Sequence, residues 1–364
     1  MAPVMKTLEK RPGDFRTIAC VTAQHRRMLD QVLSIFSIQP HYDLDIMKDN
    51  QDLFDITAHA LTGLKGVFQE TKPDIVLVQG DTTTAFAAGL AAYYLKIPVG
   101  HIEAGLRTWN KYSPFPEEVN RRLLSVVADY HFAPTQWSRS NLIEEGTDPE
   151  KIWVTGNTVI DALMMIQQKQ GTEAAKTVLT DHFRKRWGIE FTQDRRMILV
   201  TGHRRENFGL GFRNICMALK MIAGQRPDVN IIYPVHLNPS VQQPVNEILS
   251  DVPNIHLIEP VEYEQFIFLM SRSYMILTDS GGVQEEAPSL GKPVLVMREV
   301  TERPEGIEAG VVKLVGTDSM SIVTSAAELL DNDATYKRMS EAVNPYGDGK
   351  ASERIADILS SVVT

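Results

Sequence analysis

The chain reads as an α/β protein made of two doubly wound, Rossmann-like halves, and three features of the sequence say so. Apolar runs of strand length alternate with longer helical segments along the whole chain. Several of those runs are continuous rather than alternating, the pattern of strands buried on both faces of a parallel sheet. The length, 364 residues with 43% hydrophobic and 23% charged, suffices for two separate cores. Regular β-α alternation predicts doubly wound sheets, with ligand bound beyond the carboxyl ends of the strands.

In order, the first half opens with a helix over 2–8, and a strand follows only at 17–22. A doubly wound half ordinarily opens on a central strand whose following turn binds phosphate. That element is expected to be missing here. Strands are predicted at 74–79, 97–102, 130–133 and 152–155, with long helices over 51–70 and 82–95. The polar stretch 167–194 carries Gln167-Gln-Lys-Gln-Gly171 and no strand, which places the boundary between halves 1–166 and 167–345, facing across a cleft. The second half has strands at 197–201, 230–235, 255–258, 274–278, 294–296 and 311–314, with helices that include 211–225 and 320–330. A last helix over 350–362 could pack on either half.

Formal charge is −9, which argues against a nucleic-acid or anionic-membrane surface. Bound phosphates would have to be met by local Arg, His and backbone donors. The two cysteines, Cys20 and Cys216, both lie in apolar contexts and read as core residues of a reducing compartment rather than a disulfide or metal site. No apolar run approaches transmembrane length and no signal peptide opens the sequence, so a cytoplasmic location is expected.

The most informative segment is Tyr274-Met-Ile-Leu-Thr-Asp-Ser-Gly-Gly-Val-Gln-Glu-Glu-Ala287. A buried strand runs into Ser280, Gly281 and Gly282, and a helix follows. Backbone N–H groups at such a turn point outward at the positive end of a helix dipole, and glycine lets an anion approach closely. Glu286, four residues beyond Gly282, falls on the same helical face, where a carboxylate can accept both hydroxyls of a ribose. The alternative is a glycine-rich turn before a core helix.

Other polar clusters also end strands. Asp81 follows Ile75-Val-Leu-Val-Gln-Gly80 and could cap a helix or line a cleft. His101 and Glu103 alternate onto one face of a strand end, which favours a site loop over a core histidine. Glu117 and Arg121 sit i, i+4 on a helix and could pair, with a solvated first turn as the plain reading. His203, Arg204 and Arg205 follow the first strand of the second half, and His236 follows the next; cations there suit a diphosphate. Gly209-Leu-Gly211 lacks the third glycine of a dinucleotide fingerprint, and no His/Cys/Asp spacing suggests a metal.

Taken together, Gln79-Gly-Asp-Thr-Thr-Thr84, His101-Ile-Glu-Ala-Gly-Leu-Arg107, Pro116-Glu-Glu-Val-Asn-Arg121, Thr201-Gly-His-Arg-Arg-Glu206, Tyr233-Pro-Val-His-Leu-Asn-Pro239, the Thr278–Gly291 segment and Asn344-Pro-Tyr-Gly-Asp-Gly349 resemble the non-hydrolysing UDP-N-acetylglucosamine 2-epimerases over essentially the whole chain. The resemblance implies the two-domain GT-B-like fold shared with a class of nucleotide-sugar glycosyltransferases, with the last helix, 346–364, returning to the first domain. It implies reversible interconversion of UDP-GlcNAc and UDP-ManNAc for bacterial surface polysaccharide, by a homodimer. Asp81, Glu103, Glu117 and His203 would be catalytic; Arg121, Arg204, His236, Ser280, Gly281, Gly282 and Glu286 would bind substrate. A second UDP-GlcNAc would act as activator at Gln24, Arg27, Glu117, Arg204 and His236, with Asn50 where the family usually has a basic residue. The family's first strand and its Gly-Thr-Arg-Pro-Glu turn precede the residues matching Met1-Ala2-Pro3, and with them a phosphate-binding Arg and a Lys near the catalytic site.

The chemistry narrows the route. C2 of the sugar has no neighbouring carbonyl, so simple deprotonation would leave an unstabilised carbanion. Transient oxidation would need a nicotinamide, for which no site is evident. Elimination remains: the C2 proton and UDP leave, and UDP adds back after reprotonation from the other face. Carboxylates must serve the sugar, with cations and N–H dipoles for the departing diphosphate. Two alternatives stay open, a glycosyltransferase on the same fold and a catalytically impaired UDP-sugar binder.

Overall fold

The computed structural model describes all residues except His25, Asp49, Asn50, Gln193, Val363 and Thr364, and the side chains of Arg27 and Met28. By packing, the chain divides into two units, Met1–Ala162 with Tyr346–Thr364, and Leu163–Pro345.

The first unit runs α1 (Ala2–Glu9), β1 (Cys20–Val21), α2 (Arg26–Ile35), β2 (Tyr42–Asp43), α3 (Leu53–Thr71), β3 (Val76–Gln79), α4 (Thr83–Tyr94), β4 (Val99–Ile102), α5 (Glu117–Val127), β5 (Tyr130–Ala133), α6 (Gln136–Glu144), β6 (Ile152–Val154) and the start of α7 (Thr158–Lys169). Its strands form a parallel sheet in the order β3-β4-β5-β6 and a separate parallel pair, β1-β2. The alternation of side chains along β3 explains its two covers. Val76 and Val78 join a core with α3 and α4, while Ile75 and Leu77 pack toward Val4 and Leu8 of α1 on the opposite side. Cys20 and Tyr42 of the small pair pack on the first of these cores, so the two sheets share one apolar layer.

The strand expected at 17–22 is reduced to Cys20–Val21, because β2 is its only strand partner among the described residues. β2 itself escaped the sequence reading: two residues carry no period. Asp52 and Asp55 form a reciprocal capping box that starts α3, and Lys72 in the left-handed region ends it.

The second unit runs α8 (Glu173–Trp187), β7 (Arg196–Thr201), α9 (Leu210–Gln225), β8 (Val229–Pro234), α10 (Pro239–Leu249), β9 (Ile255–Ile258), α11 (Tyr263–Arg272), β10 (Met275–Thr278), α12 (Gly281–Glu286), β11 (Val294–Val296), α13 (Pro304–Glu308), β12 (Val312–Leu314), α14 (Ser319–Asp331) and α15 (Asp333–Ser340). One parallel sheet has the order β12-β11-β10-β7-β8-β9. Its strands carry the continuous apolar runs that predicted them: Ile198, Leu199, Val200, Met275, Ile276 and Leu277 are all fully buried. The chain winds outward from β7 through β8 and β9, then returns to place β10 on the other side of β7. The β7/β10 border is therefore the topological switch point, where such sheets open a crevice at the strand ends.

After Pro345 the chain rejoins the first unit as α16 (Ala351–Val362), which packs against α1 through Ile355, Ala356 and Leu359. No helix among the described residues is long and apolar enough to cross a membrane.

Candidate active site

At the switch point Thr201 of β7 is in register with Thr278 of β10, so the residues after each strand are neighbours. Asp279 is wholly buried there. Its Oδ2 accepts from the backbone N–H groups of His203 and Arg204, each at 2.9 Å, and from Asn207 Nδ2 at 3.3 Å. Those bonds fold the segment after β7 back over the strand ends. The His203 ring stacks on His236 with centroids 5.4 Å apart and planes 18° from parallel. His236 Nδ1 accepts from the Asn238 N–H at 3.1 Å. Burial lowers the His203 pKa; Asp279 opposes that, while His236 and Arg204 reinforce it. The buried Arg204 Nε has no hydrogen-bond partner among the described residues. Two imidazoles and a partly uncommitted guanidinium thus sit beside the crevice where a diphosphate would be held.

The glycine turn after β10 differs in detail from expectation. Ser280 is the N-cap residue without a side-chain cap bond, and its N–H donates to Thr278 Oγ1 at 2.9 Å. α12 has six residues, so its dipole is short and the turn must rely on later N–H groups and on side chains. The two glycines are not equivalent. A Cβ on Gly281 would strike the Arg303 guanidinium, whereas one on Gly282 would meet nothing nearer than Glu286 Oε2, at 4.0 Å. A side chain at Gly281 would have to shift the Arg303 guanidinium away from Glu285 and Glu302, whereas Gly282 leaves space that the protein does not fill. Glu286 is buried and accepts a hydrogen bond from Tyr263 of α11. Burial raises its pKa to about 7, against the Tyr263 hydrogen bond and with help from Glu285.

In the first unit, Gln79 of β3 is in register with Ile102 of β4, which sets Gly80-Asp81 beside Glu103. The N-cap of α4 is Thr82, whose side chain accepts from Ala85 N, so Asp81 is not a cap. Its carboxylate instead accepts from Arg121 Nε at 2.8 Å, and its carbonyl from Asn120 Nδ2 at 2.9 Å. Glu103 has a left-handed backbone with φ 64°, a strained state for a non-glycine residue, and its Oε2 lies 3.5 Å from Gln79 Nε2.

Two sequence expectations are corrected here. Arg121 pairs with Asp81 and with the buried Glu118 rather than with Glu117, because Glu118 is turned inward to accept from the Thr108 and Trp109 N–H groups. The side chain of Glu117, half-buried at the first position of α5, makes no hydrogen bond or ion pair with another described residue. His101 lies inside β4, fully buried, with Nε2 2.8 Å from the Gly80 carbonyl; burial drives its pKa down to about 3. It is a neutral core histidine, and only Glu103 of that pair reaches the strand end.

Of the positions assigned to an activator, Gln24 accepts from Thr84 Oγ1 at 3.0 Å. The Arg27 side chain and Asn50 lie outside the described residues. Asp279 and Tyr263 escaped the sequence reading: each looks structural in one dimension, and only pairing across strands and helices reveals its partner. Among the described residues no cluster of three His, Cys, Asp or Glu could hold a metal ion.

A family profile described as UDP-N-acetylglucosamine 2-epimerase matches residues 6–360. A UDP-N-acetylglucosamine 2-epimerase from Campylobacter jejuni is 55% identical over 360 residues, 99% of this chain and 93% of that protein. The crystal structure of a UDP-GlcNAc 2-epimerase from Neisseria meningitidis bound to UDP-GlcNAc aligns with a TM-score of 0.91 at 52% identity, covering 99% of this chain and 96% of that one. The enzyme of Methanocaldococcus jannaschii, in complex with UDP-GlcNAc and UDP, aligns with a TM-score of 0.78 at 33% identity over 99% and 95% of the two chains.

Proposed function

Because the chain belongs to the family of UDP-N-acetylglucosamine 2-epimerases, we propose that it inverts C2 of UDP-N-acetylglucosamine by eliminating and re-adding UDP. Of the readings left open by the sequence, the relatives support an epimerase over a glycosyltransferase or an inert binder. The observation that carries the mechanism is the set of first-unit carboxylates, Asp81 and Glu103 just past strand ends and Glu117 at the start of α5. A glycosyl transfer has no use for several acid–base groups around C2; two opposite-face proton transfers do.

Arg121 holds the Asp81 carboxylate in one orientation. Glu117, whose side chain has no partner among the described residues, is able to exchange a proton with substrate. On the second unit His203, Arg204 and His236 stabilise the diphosphate that gathers charge as the C1–O bond breaks. Ser280, Gly281 and Gly282 border the phosphates, and Glu286 accepts the ribose hydroxyls. Elimination needs only acid–base groups and cations that the chain itself carries, so the reading calls for no added cofactor. UDP-GlcNAc as activator, through Gln24, Arg27, Glu117, Arg204 and His236, remains part of the proposal, as do a homodimer, a cytoplasmic setting and a product destined for surface polysaccharide.

The test is incubation with UDP-GlcNAc alone in D2O. UDP-ManNAc should form without an acceptor and carry deuterium at C2. Product retaining its C2 hydrogen would remove the elimination route, and no product without an acceptor would return the glycosyltransferase.

A further inference from the structure

The Asp279 carboxylate is asymmetric in a way that backbone support does not explain. Oδ2 takes three donors, whereas Oδ1, equally buried, has no hydrogen-bond partner among the described residues. A buried carboxylate oxygen left bare is costly unless it serves another state of the site. His203 Nδ1 lies 3.5 Å from it, on a side chain that is 43% accessible. Such contacts are often long without ligand and tighten in the complex.

We propose that Asp279 is the positioning residue for His203: it holds the Nδ1–H and so presents Nε2 to the departing diphosphate. This deepens, and rests on, the epimerase reading. The groups facing the ring are Asp279 from the turn after β10, His236 from the loop after β8, and Arg204 beside it in the chain. Burial, reinforced by His236 and Arg204, lowers the His203 pKa against the pull of Asp279; an arriving diphosphate favours the imidazolium. The Nε2 proton then passes to the β-phosphate oxygen as the C1–O bond breaks and its electron pair stays on UDP. Re-addition returns that proton to Nε2. Asp279 does not itself change protonation state, as in other carboxylate–imidazole pairs.

Asp279→Asn is the natural probe. The amide oxygen can still accept from the His203 and Arg204 N–H groups, but the amide nitrogen then faces Nδ1 and forces the proton onto Nε2. With the full chain labelled with 15N-histidine, and His203 assigned by its absence in His203→Asn, the neutral wild-type ring should carry its proton on Nδ1 and that of Asp279→Asn on Nε2. Epimerisation kcat should fall by about 10²-fold or more, with UDP affinity within about threefold of wild type. The basic limb of the kcat profile should move to lower pH, since the carboxylate that favours the imidazolium is gone. In the His203→Asn background the same change should cost no more than about twofold. A wild-type ring protonated on Nε2, or an equal loss in both backgrounds, overturns the proposal. Should Asp279→Asn not fold, the wild-type tautomer alone decides. Absence of turnover by the wild-type chain would count against the epimerase reading and leave the tautomer result to stand by itself.

Discussion

At the residue scale, the acid–base candidates differ in how the fold treats them, and that difference is measurable. Asp81 is held by Arg121, while the Glu117 side chain has no partner among the described residues. Asp81→Asn and Glu117→Gln should each lower kcat by on the order of 10²-fold or more. Near-wild-type rates in both would take them off the catalytic list. At the glycine turn, Gly282→Val should weaken UDP binding severely with little loss of stability, because its side chain enters space the protein leaves empty. Gly281→Val should lower the melting temperature as well, by displacing Arg303. Calorimetry and thermal denaturation separate the two; equal UDP affinity in Gly282→Val and wild type would place the phosphates elsewhere. Glu286 adds a pH dependence. With its pKa raised to about 7, the carboxylate proposed to accept the ribose hydroxyls is fully charged only above that pH, so UDP affinity should fall as pH falls through 7. Tyr263→Phe removes the hydrogen bond that opposes the rise, so the loss should begin at higher pH, whereas Glu286→Gln should be insensitive. A wild-type dissociation constant independent of pH over this range would show that Glu286 does not hold the ribose.

At the element scale, α16 shows how a distant segment is fixed. Its first N–H groups, which no helix can satisfy internally, donate to Asp161 of α7: Ser352 N to Oδ1 at 2.7 Å and Ala351 N to Oδ2 at 3.2 Å. Asp161 thus acts as an N-cap supplied from another helix. Asp161→Ala should cost about 1–2 kcal/mol, the usual worth of a cap, and amides of α16 should exchange earlier than those of the sheet. Unchanged exchange in α16 would mean that its apolar packing on α1 suffices alone.

At the scale of the whole molecule, the two units are unequal. The second has one sheet of six strands, while the first has a sheet of four and a separate pair. Among the described residues β1 pairs only with β2, and β3 only with β4. Fewer paired backbone groups and shorter strands lower the cost of local opening. Limited proteolysis should therefore cut the first unit before the second, with early sites in the segment joining β1 to α3. Simultaneous cleavage of both units would show that the shared apolar layer compensates for the divided sheet.

The sequence by itself determined the α/β class, the strands of the four- and six-stranded sheets and the strand ends on which polar chemistry sits. These follow from periodicity, and period is a local property. It also placed Glu286 one turn beyond the glycines, since helical geometry fixes that spacing. Which partner each charge takes was decided only by the tertiary structure. Arg121 prefers Asp81 and the inward-turned Glu118 over Glu117; His101 disappears into a sheet; Asp279 meets His203 because β10 lies beside β7. Those choices depend on which strands become neighbours and which faces lose water, and both are set by the packing of segments remote in sequence.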